Sequence, residues 1–118
     1  MRFMILIHSN DAAEAAWVGG EKAVLDAEHA AVIGELMASG ELVDTNELDV
    51  EDVMFTGQHN GEPLTQRGPF TEGTEWIGGY YILDVADRER AREIAGRFAE
   101  NKYSPIEIRR IMNTTPQG

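Results

Sequence analysis

The chain has 118 residues, of which 42% are hydrophobic and none is cysteine, so it fits a single domain without disulfides or thiolate metal sites. Ten basic residues against 21 acidic ones give a formal net charge of −11, which argues against binding to nucleic-acid phosphates or an anionic membrane surface. The longest apolar run, Phe3 to Ile7, has the length of a strand and is too short to span a membrane. We therefore expect a cytoplasmic protein with no membrane or nucleic-acid partner.

Periodicity and turn residues predict eight elements. In chain order they are a strand over 2–8, a helix over 21–39, strands over 41–48, 53–57, 62–65 and 77–85, a helix over 88–100 and a strand over 106–112. Gly40 is expected to end the first helix, and Asp87 to cap the second. Asn60-Gly61 predicts the tight turn of a hairpin between the third and fourth strands.

Both predicted helices carry an apolar stripe. The first helix follows a connector that contains one helical turn, capped by Asn10 or Asp11. Its stripe is formed by Leu25, His29, Val32, Ile33, Leu36 and Met37. The stripe of the second helix is formed by Ala91, Ile94, Ala95 and Phe98, with alternating charges outside. Both helices are therefore expected to pack against one face of a sheet.

The order β-α-β-hairpin-β-α-β predicts an α+β fold of the ferredoxin-like split type, as a single domain over residues 1–112 with a loose tail over 113–118. Two helices cover only one face of such a sheet. The first strand is nevertheless apolar in both directions, with Phe3, Ile5 and Ile7 on one face and Met4, Leu6 and His8 on the other. Since a second copy would cover the remaining face, we expect a homodimer with its sheets packed face to face.

Residues 67–85, RGPFTEGTEWIGGYYILDV, resemble the signature of the DGPF proteins, which are part of the YCII-related family. The matching positions are Gly68, Pro69, Phe70, Glu72, Glu75, Gly78, Gly79, Tyr80, Tyr81, Asp84 and Val85. The strand MRFMILIH and the helix EHAAVIGELMASGELV also resemble their family counterparts, so the resemblance runs from residue 2 to about 112. Arg67 departs from it, because the family motif begins with aspartate, and Thr74 replaces the motif lysine.

The resemblance implies a dimeric α/β barrel of ferredoxin-like subunits, but no settled activity. A histidine and an aspartate are suspected of catalysis in the wider family. One relative is a dehalogenating enzyme of aromatic breakdown, and the fold is similar to that of muconolactone isomerases. DGPF members often lie beside extracytoplasmic-function sigma factors, which implies a regulatory context. If the motif aspartate carries chemistry in relatives, this chain lacks it at Arg67, whose guanidinium is suited to an anionic ligand.

The glycine pair and the two tyrosines of this stretch lie on one predicted strand. Gly78-Gly79 indicates a β-bulge or a close backbone approach. Strand alternation directs Tyr81 toward the helices, whereas Tyr80 and Asp84 point to the opposite face, toward a partner or a cavity. Each tyrosine hydroxyl either completes the packing of the core or contacts a ligand, so Tyr80, Tyr81 and Asp84 are candidate binding residues.

His29 is the candidate catalytic residue. It lies on the apolar stripe of the first helix, and an imidazole near neutral pH can act as a general acid or base. A hydrogen-bonded core histidine is the alternative. The candidate acids for orienting it are distant in sequence, namely Asp44, Glu72, Glu75 and Asp84.

Metal and cofactor binding find no support in the spacing of ligands. His8 and His59 would have to join His29, but neither H-x-H nor H-E-x-x-H occurs. Nucleotide-binding glycine motifs and the serine-hydrolase motif are absent from the sequence as well. The remaining acids are expected to form solvated surface; they include Glu28, Glu35, Glu47, Asp49, Glu51 and Asp52.

Two functions stay open from the sequence. The first is an enzyme for cofactor-free acid–base chemistry, such as isomerisation, elimination or hydrolytic dehalogenation. In that case His29 would move the proton, and Arg67 or Tyr81 would hold a small anionic or aromatic substrate. The second is a non-catalytic binding or regulatory module. The loss of the motif aspartate at Arg67 favours the module, and His29 favours the enzyme.

Removal of divalent metal ions is expected to leave the fold unchanged, because the chain has no cysteine and no histidine spacing of a structural metal site. Thermal unfolding with and without a chelator measures this, and the midpoints should agree within about 1 °C. A midpoint lower by several degrees after chelation would contradict the prediction.

Overall fold

The computed structural model describes residues 1–67 and 75–112, without the side chains of His59, residues 63–67 and Glu75. The regular elements in chain order are β1 Arg2–Asn10, α1 Asp11–Ala16, α2 Lys22–Ser39, β2 Leu42–Glu47, β3 Met54–His59, β4 Glu62–Arg67, β5 Glu75–Asp84, α3 Arg88–Ala95 and β6 Ile106–Arg110. All predicted strands are present, with shifted ends.

Four strands form an antiparallel sheet in the order β2-β5-β1-β6. This mixed α+β arrangement is consistent with the predicted ferredoxin-like subunit. The strands β3 and β4 pair separately as a hairpin, and Asn60 and Gly61 have the positive φ angles of 51° and 83° that its tight turn requires. None of the helices in the described ranges combines the length and apolar character needed to cross a bilayer.

The hydrophobic core lies between the helices and one face of the sheet. The alternation predicted for β1 and β5 is confirmed, because the inward residues of both strands are buried. The buried core consists of Phe3, Ile5, Ile7, Val32, Leu36, Tyr81, Leu83, Val85, Ala91, Ile94, Ala95 and Phe98. Met37 was wrongly assigned to this core and is 68% exposed. One residue beyond the buried Leu36, it points about 100° further round the helix axis.

The glycine pair forms the predicted bulge. Ile7 pairs with Gly79, and the next residue of β1 pairs with Ile77, so Gly78 is an extra residue in β5. A Cβ on Gly79 would lie 3.3 Å from the backbone oxygen of Asn46 in β2. The pair therefore combines the bulge with a close approach of two backbones.

Two helix ends follow the predicted signals. The side chain of Asn10 accepts a hydrogen bond from Ala13 N at 2.9 Å and caps α1. A wider turn over Trp17–Glu21 then leads into α2. Gly40 adopts the left-handed conformation with φ 80° and ends α2, as predicted.

The second long helix is shorter than predicted. α3 begins after the capping side chain of Asp87 but ends at Ala95, so the predicted extension to residue 100 is wrong. Gly96 follows, and the Asn101 side chain donates to the backbone oxygens of Ala95 and Phe98, both at 2.9 Å. These bonds add to the backbone hydrogen bonds from Phe98 N to Ala95 O and from Asn101 N to Phe98 O, and they stabilise a separate 3₁₀ turn over Ala99–Lys102.

Glu41 ties the end of α2 to the sheet and to α3. Its backbone N donates to Leu36 O, and its backbone O accepts from Asp84 N at 2.8 Å. Its carboxylate accepts two hydrogen bonds from Arg90, at 2.9 Å from Nε and 2.8 Å from Nη2. The Arg90 bonds, and then one from Ser39, lower the pKa of Glu41 from 4.5 to about 2, while the pKa of Arg90 is raised.

The variant Glu41→Gln should lower the free energy of unfolding at neutral pH by about 1 kcal/mol, because it removes the charge from a paired and partly buried carboxylate. The folded pKa of Glu41 lies below the unfolded value, so its contribution is complete above about pH 4.5 and is lost as the pH falls toward 2. Urea unfolding of the wild type and the variant between about pH 4.5 and 2 should show that the difference in their free energies of unfolding becomes smaller as the pH falls.

Glu93→Gln is the matched control, since Glu93 also binds Arg90 but its side chain is 66% exposed. It should change the free energy by less than about 0.5 kcal/mol. An effect of Glu41→Gln that did not depend on pH would contradict the lowered pKa of Glu41 in the folded protein.

Candidate functional site

A cavity of about 950 Å³ lies between the first half of α2 and the helix-facing side of the sheet. Residues from β1, β2 and β5 line it, together with the segment 48–51 that follows β2. His29 enters it from α2, Tyr81 from β5 and Glu100 from the turn after α3.

Three side chains form a continuous hydrogen-bonded chain in this cavity. The Nδ1 atom of His29 lies 2.6 Å from the hydroxyl of Tyr81, and its Nε2 atom lies 2.7 Å from Oε2 of Glu100. The Glu100 side chain is 10% exposed and that of His29 is 18% exposed. We call this the Tyr81–His29–Glu100 chain. Both ring nitrogens of His29 are therefore engaged by protein groups.

The direction of these bonds follows from their chemistry. The carboxylate of Glu100 accepts, so His29 Nε2 carries a proton and donates it. In a neutral imidazole, Nδ1 is then the acceptor for the Tyr81 hydroxyl. Burial, and then the negative charge of Glu100, raise the pKa of Tyr81 to about 12, so its hydroxyl keeps its proton at neutral pH.

Stacked rings hold two of the three groups in place, namely His29 and Tyr81. The ring of Phe98 stacks on His29 with centroids 4.5 Å apart, and on Tyr81 with centroids 4.9 Å apart. Phe98 is only 2% exposed, so a buried ring packs against both the imidazole and the phenol. The imidazole and the phenol are therefore positioned by packing as well as by hydrogen bonds.

The turn after α3 places Glu100 opposite His29. At its start, Ala99 N donates to Oε1 of Glu28 at 2.5 Å, and at its end Ser104 N donates to Glu100 O at 3.0 Å. The hydroxyl of Ser104 donates to His8 O in β1 at 2.6 Å. Glu28 was expected to be solvated, but it is half-buried and anchors this turn.

Glu100 was not among the acids that the sequence offered for His29. Asp44 instead accepts from the Tyr80 hydroxyl at 2.6 Å, and Asp84 contacts the amino group of Met1 at 3.2 Å. Glu72 and the side chain of Glu75 lie outside the described residues. A helix that continued to residue 100 would place Glu100 on its solvent side. The predicted extension of α3 therefore gave no reason to consider this acid as a partner of His29. Gly96 was the available signal for an earlier helix end.

The other candidate binding residues do not join the Tyr81–His29–Glu100 chain. Tyr80 is among the residues that line the cavity. Its side chain points to the opposite face of the sheet, where its hydroxyl also accepts a hydrogen bond from Asn46 at 2.9 Å. Asp84 lies there too, at the end of β5. The backbone of Arg67 pairs with Met54 in the hairpin, but its side chain is outside the described residues.

His8 and His29 do not converge on a common metal position. His8 lies on the face opposite His29, where its Nε2 is 2.9 Å from Oε1 of Glu107. The side chain of His59 is outside the described residues. Across residues 1–67 and 75–112, no group of three or more histidine, aspartate or glutamate side chains is arranged to hold a metal ion.

Comparison with known proteins finds similarity over most of the chain. The family model described as the YCII-related domain matches residues 1–115. An uncharacterised protein of Rhizobium meliloti (strain 1021) is 26% identical over 96 residues, which cover 80% of this chain and 77% of that protein. The match agrees with the resemblance found in residues 67–85.

Proposed function

This chain belongs to the YCII-related family, and we propose that it binds a small organic molecule in the cavity beside α2 and moves a proton on it without a cofactor. Isomerisation, elimination and hydrolytic dehalogenation are reactions of this type. The observation that carries the proposal is the Tyr81–His29–Glu100 chain. Its three groups are linked in series, as a proton relay requires.

The relay assigns a different role to His29 from the one expected from the sequence. Because both of its nitrogens are engaged, His29 does not take a proton from the substrate directly. The Tyr81 oxygen would accept the substrate proton as its own hydroxyl proton passes to His29 Nδ1. The resulting imidazolium would lie 2.7 Å from the Glu100 carboxylate, which stabilises its charge. The proton would return by the reverse path to another substrate atom or to a leaving group.

The raised pKa of Tyr81 explains why the relay needs all three groups. A phenol with a pKa of about 12 is a poor source of phenolate at neutral pH. Concerted transfer to His29 keeps Tyr81 uncharged throughout, and therefore avoids a second negative charge beside Glu100. The burial that makes phenolate unfavourable thus favours the relay.

A non-catalytic binding module is the second candidate, and one observation favours it. Every polar atom of the His29 ring already has a protein partner. The Tyr81–His29–Glu100 chain can therefore also serve as a rigid wall of a binding cavity. In that case a ligand would bind without being changed. Turnover, not affinity, separates the two functions.

We also propose that two copies associate through the face of the sheet that carries no helices. This open face presents the half-buried Met4, Leu6 and Ile82, and Ile77, which is 42% exposed. Pairing of Leu6 with Tyr80, and of Met4 with Ile82, makes these side chains neighbours in space. Such a patch is suited to a second copy of the same face.

The dimer proposal predicts a mass of twice 13.1 kDa by size-exclusion chromatography with light scattering at micromolar concentration. Leu6→Lys should shift the protein to the monomer, because it places a charge at the centre of the open face. Val24→Lys is the control, since Val24 is 67% exposed on α2 and should leave the mass unchanged. A wild-type species of 13.1 kDa would reject the dimer.

The relay predicts that Tyr81→Phe and His29→Asn each lower kcat about a hundredfold or more on any substrate found by screening lactones, enolisable ketones and haloaromatics. The double variant should lose little more, because the two groups act as one unit. Tyr81→Phe keeps the ring that stacks on Phe98, so circular dichroism should report an intact fold.

Tyr103→Phe is the matched control, because it removes a tyrosine hydroxyl that is bound to Glu21, and Tyr103 is not among the described residues that line the cavity. It should leave kcat unchanged. Full turnover by Tyr81→Phe with the fold intact would refute the relay. Ligand binding without turnover by the wild type would instead favour the binding module.

A further inference from the structure

The cavity beside α2 is acidic. Among the described residues, six carboxylates line it against a single lysine; the acids are Glu14, Asp26, Glu47, Asp49, Glu51 and Glu100. Lys22 is itself bound by Asp26 at 3.0 Å, so its charge is locally compensated. With neutral histidines, the described lining carries a formal excess of five negative charges. A cavity of this kind concentrates cations and repels anions.

Acidic surface alone does not define a ligand, but two buried polar atoms of the same lining add a specific requirement. The Oε1 atom of Glu100 and the hydroxyl of Ser9 have no hydrogen-bond partner among the described residues. The two residues are only 8% and 9% exposed, respectively. Ser9 follows Phe3, Ile5 and Ile7 on the inward row of β1, and so points to the helix side of the sheet.

These two oxygens call for the same kind of partner. A carboxylate oxygen can only accept a hydrogen bond, and a serine oxygen can accept one as well. Leaving buried polar atoms without partners costs free energy, which a ligand recovers if it supplies donors. Since Oε2 of Glu100 is already used by His29, the free Oε1 offers a second contact without breaking the Tyr81–His29–Glu100 chain.

We infer that the cavity selects a ligand bearing a protonated amine or another cationic nitrogen group, whose N–H donors are directed at Glu100 and Ser9. The body of the ligand would be aromatic or aliphatic, because Trp17, Leu25 and Ile33 line the same cavity. This inference rests on the proposed function, since it concerns the same cavity, and it adds the chemical class of the substrate.

The alternative of an anionic ligand is disfavoured by the same groups. A carboxylate or phosphate beside Glu100 would bring two negative charges together in a largely buried place. An ammonium group there would instead pair with a carboxylate that is already desolvated, which strengthens the attraction. The sequence suggested an anion through Arg67, but the described lining has the opposite charge.

Three probes with the same hydroxyphenyl body separate these possibilities, namely tyramine as the cation, tyrosol as the neutral compound and 4-hydroxyphenylacetate as the anion. Titrations followed by amide NMR at neutral pH should show tyramine binding about tenfold or more tighter than tyrosol, and the anion weakest. The shifted amides should include those of Ala30 and Gly79, which line the cavity. Added salt should reduce the preference for tyramine.

Charge-neutralising variants locate the origin of the preference. Glu100→Gln should weaken tyramine binding about tenfold or more while changing tyrosol little, because it keeps the shape and removes the buried charge. The double variant Glu47→Gln/Glu51→Gln leaves the Tyr81–His29–Glu100 chain intact, and should weaken tyramine about two- to fivefold. Glu89→Gln, an exposed acid of α3 outside this cavity, is the matched control and should have no effect.

Several results would overturn the inference. They are equal or tighter binding of 4-hydroxyphenylacetate, an unchanged preference in both Glu100→Gln and the double variant, and no binding of any probe up to millimolar concentration. The relay is tested separately by turnover of Tyr81→Phe. Tyramine selectivity with no effect of Tyr81→Phe on turnover would reject the relay and keep the cationic subsite. Loss of turnover in Tyr81→Phe, combined with selectivity for the anion, would support the relay and reject the cationic subsite.

Discussion

The imidazole of His29 is held by two short hydrogen bonds, and the arrangement of the cavity depends on them. Tyr81 is 52 residues away in sequence and Glu100 is 71 residues away, so the bonds join α2, β5 and the turn after α3. Each bond uses one ring nitrogen, which fixes both the tautomer and the orientation of the ring. A single side chain thus links the helix layer to the sheet at the inner wall of the cavity.

This arrangement requires a carboxylate to be buried, and the local structure is built to hold it. Glu100 lies on a 3₁₀ turn whose first backbone N is bound by Glu28, from the helix that also carries His29. Phe98, at the start of the turn, stacks on both rings. The carboxylate is therefore stabilised at Oε2 by the bond from His29 and fixed by packing, while its Oε1 has no partner among the described residues.

The two faces of the sheet have different characters. The helix face combines the apolar core with the acidic cavity, whereas the open face carries Met4, Leu6, Ile77 and Ile82 with polar pairs such as His8–Glu107 at its edge. The bulge at Gly78 marks where the face of β5 changes along the strand. The two proposed roles, small-molecule chemistry and association between copies, would therefore use opposite sides of one sheet.

The sequence by itself determined those features that depend on near neighbours in the chain. Strand alternation placed Tyr81 inward and Tyr80 outward, Asn10 and Gly40 marked helix ends, and the glycine pair marked the bulge, because each follows from local backbone geometry. Only the tertiary structure decided that Glu100 meets His29. That contact depends on where α3 stops, which is set by the side-chain bonds of Asn101 and by packing of Phe98 rather than by a periodic pattern. The charge of the cavity likewise emerged only in three dimensions, because its acids come from separate elements that the fold brings together.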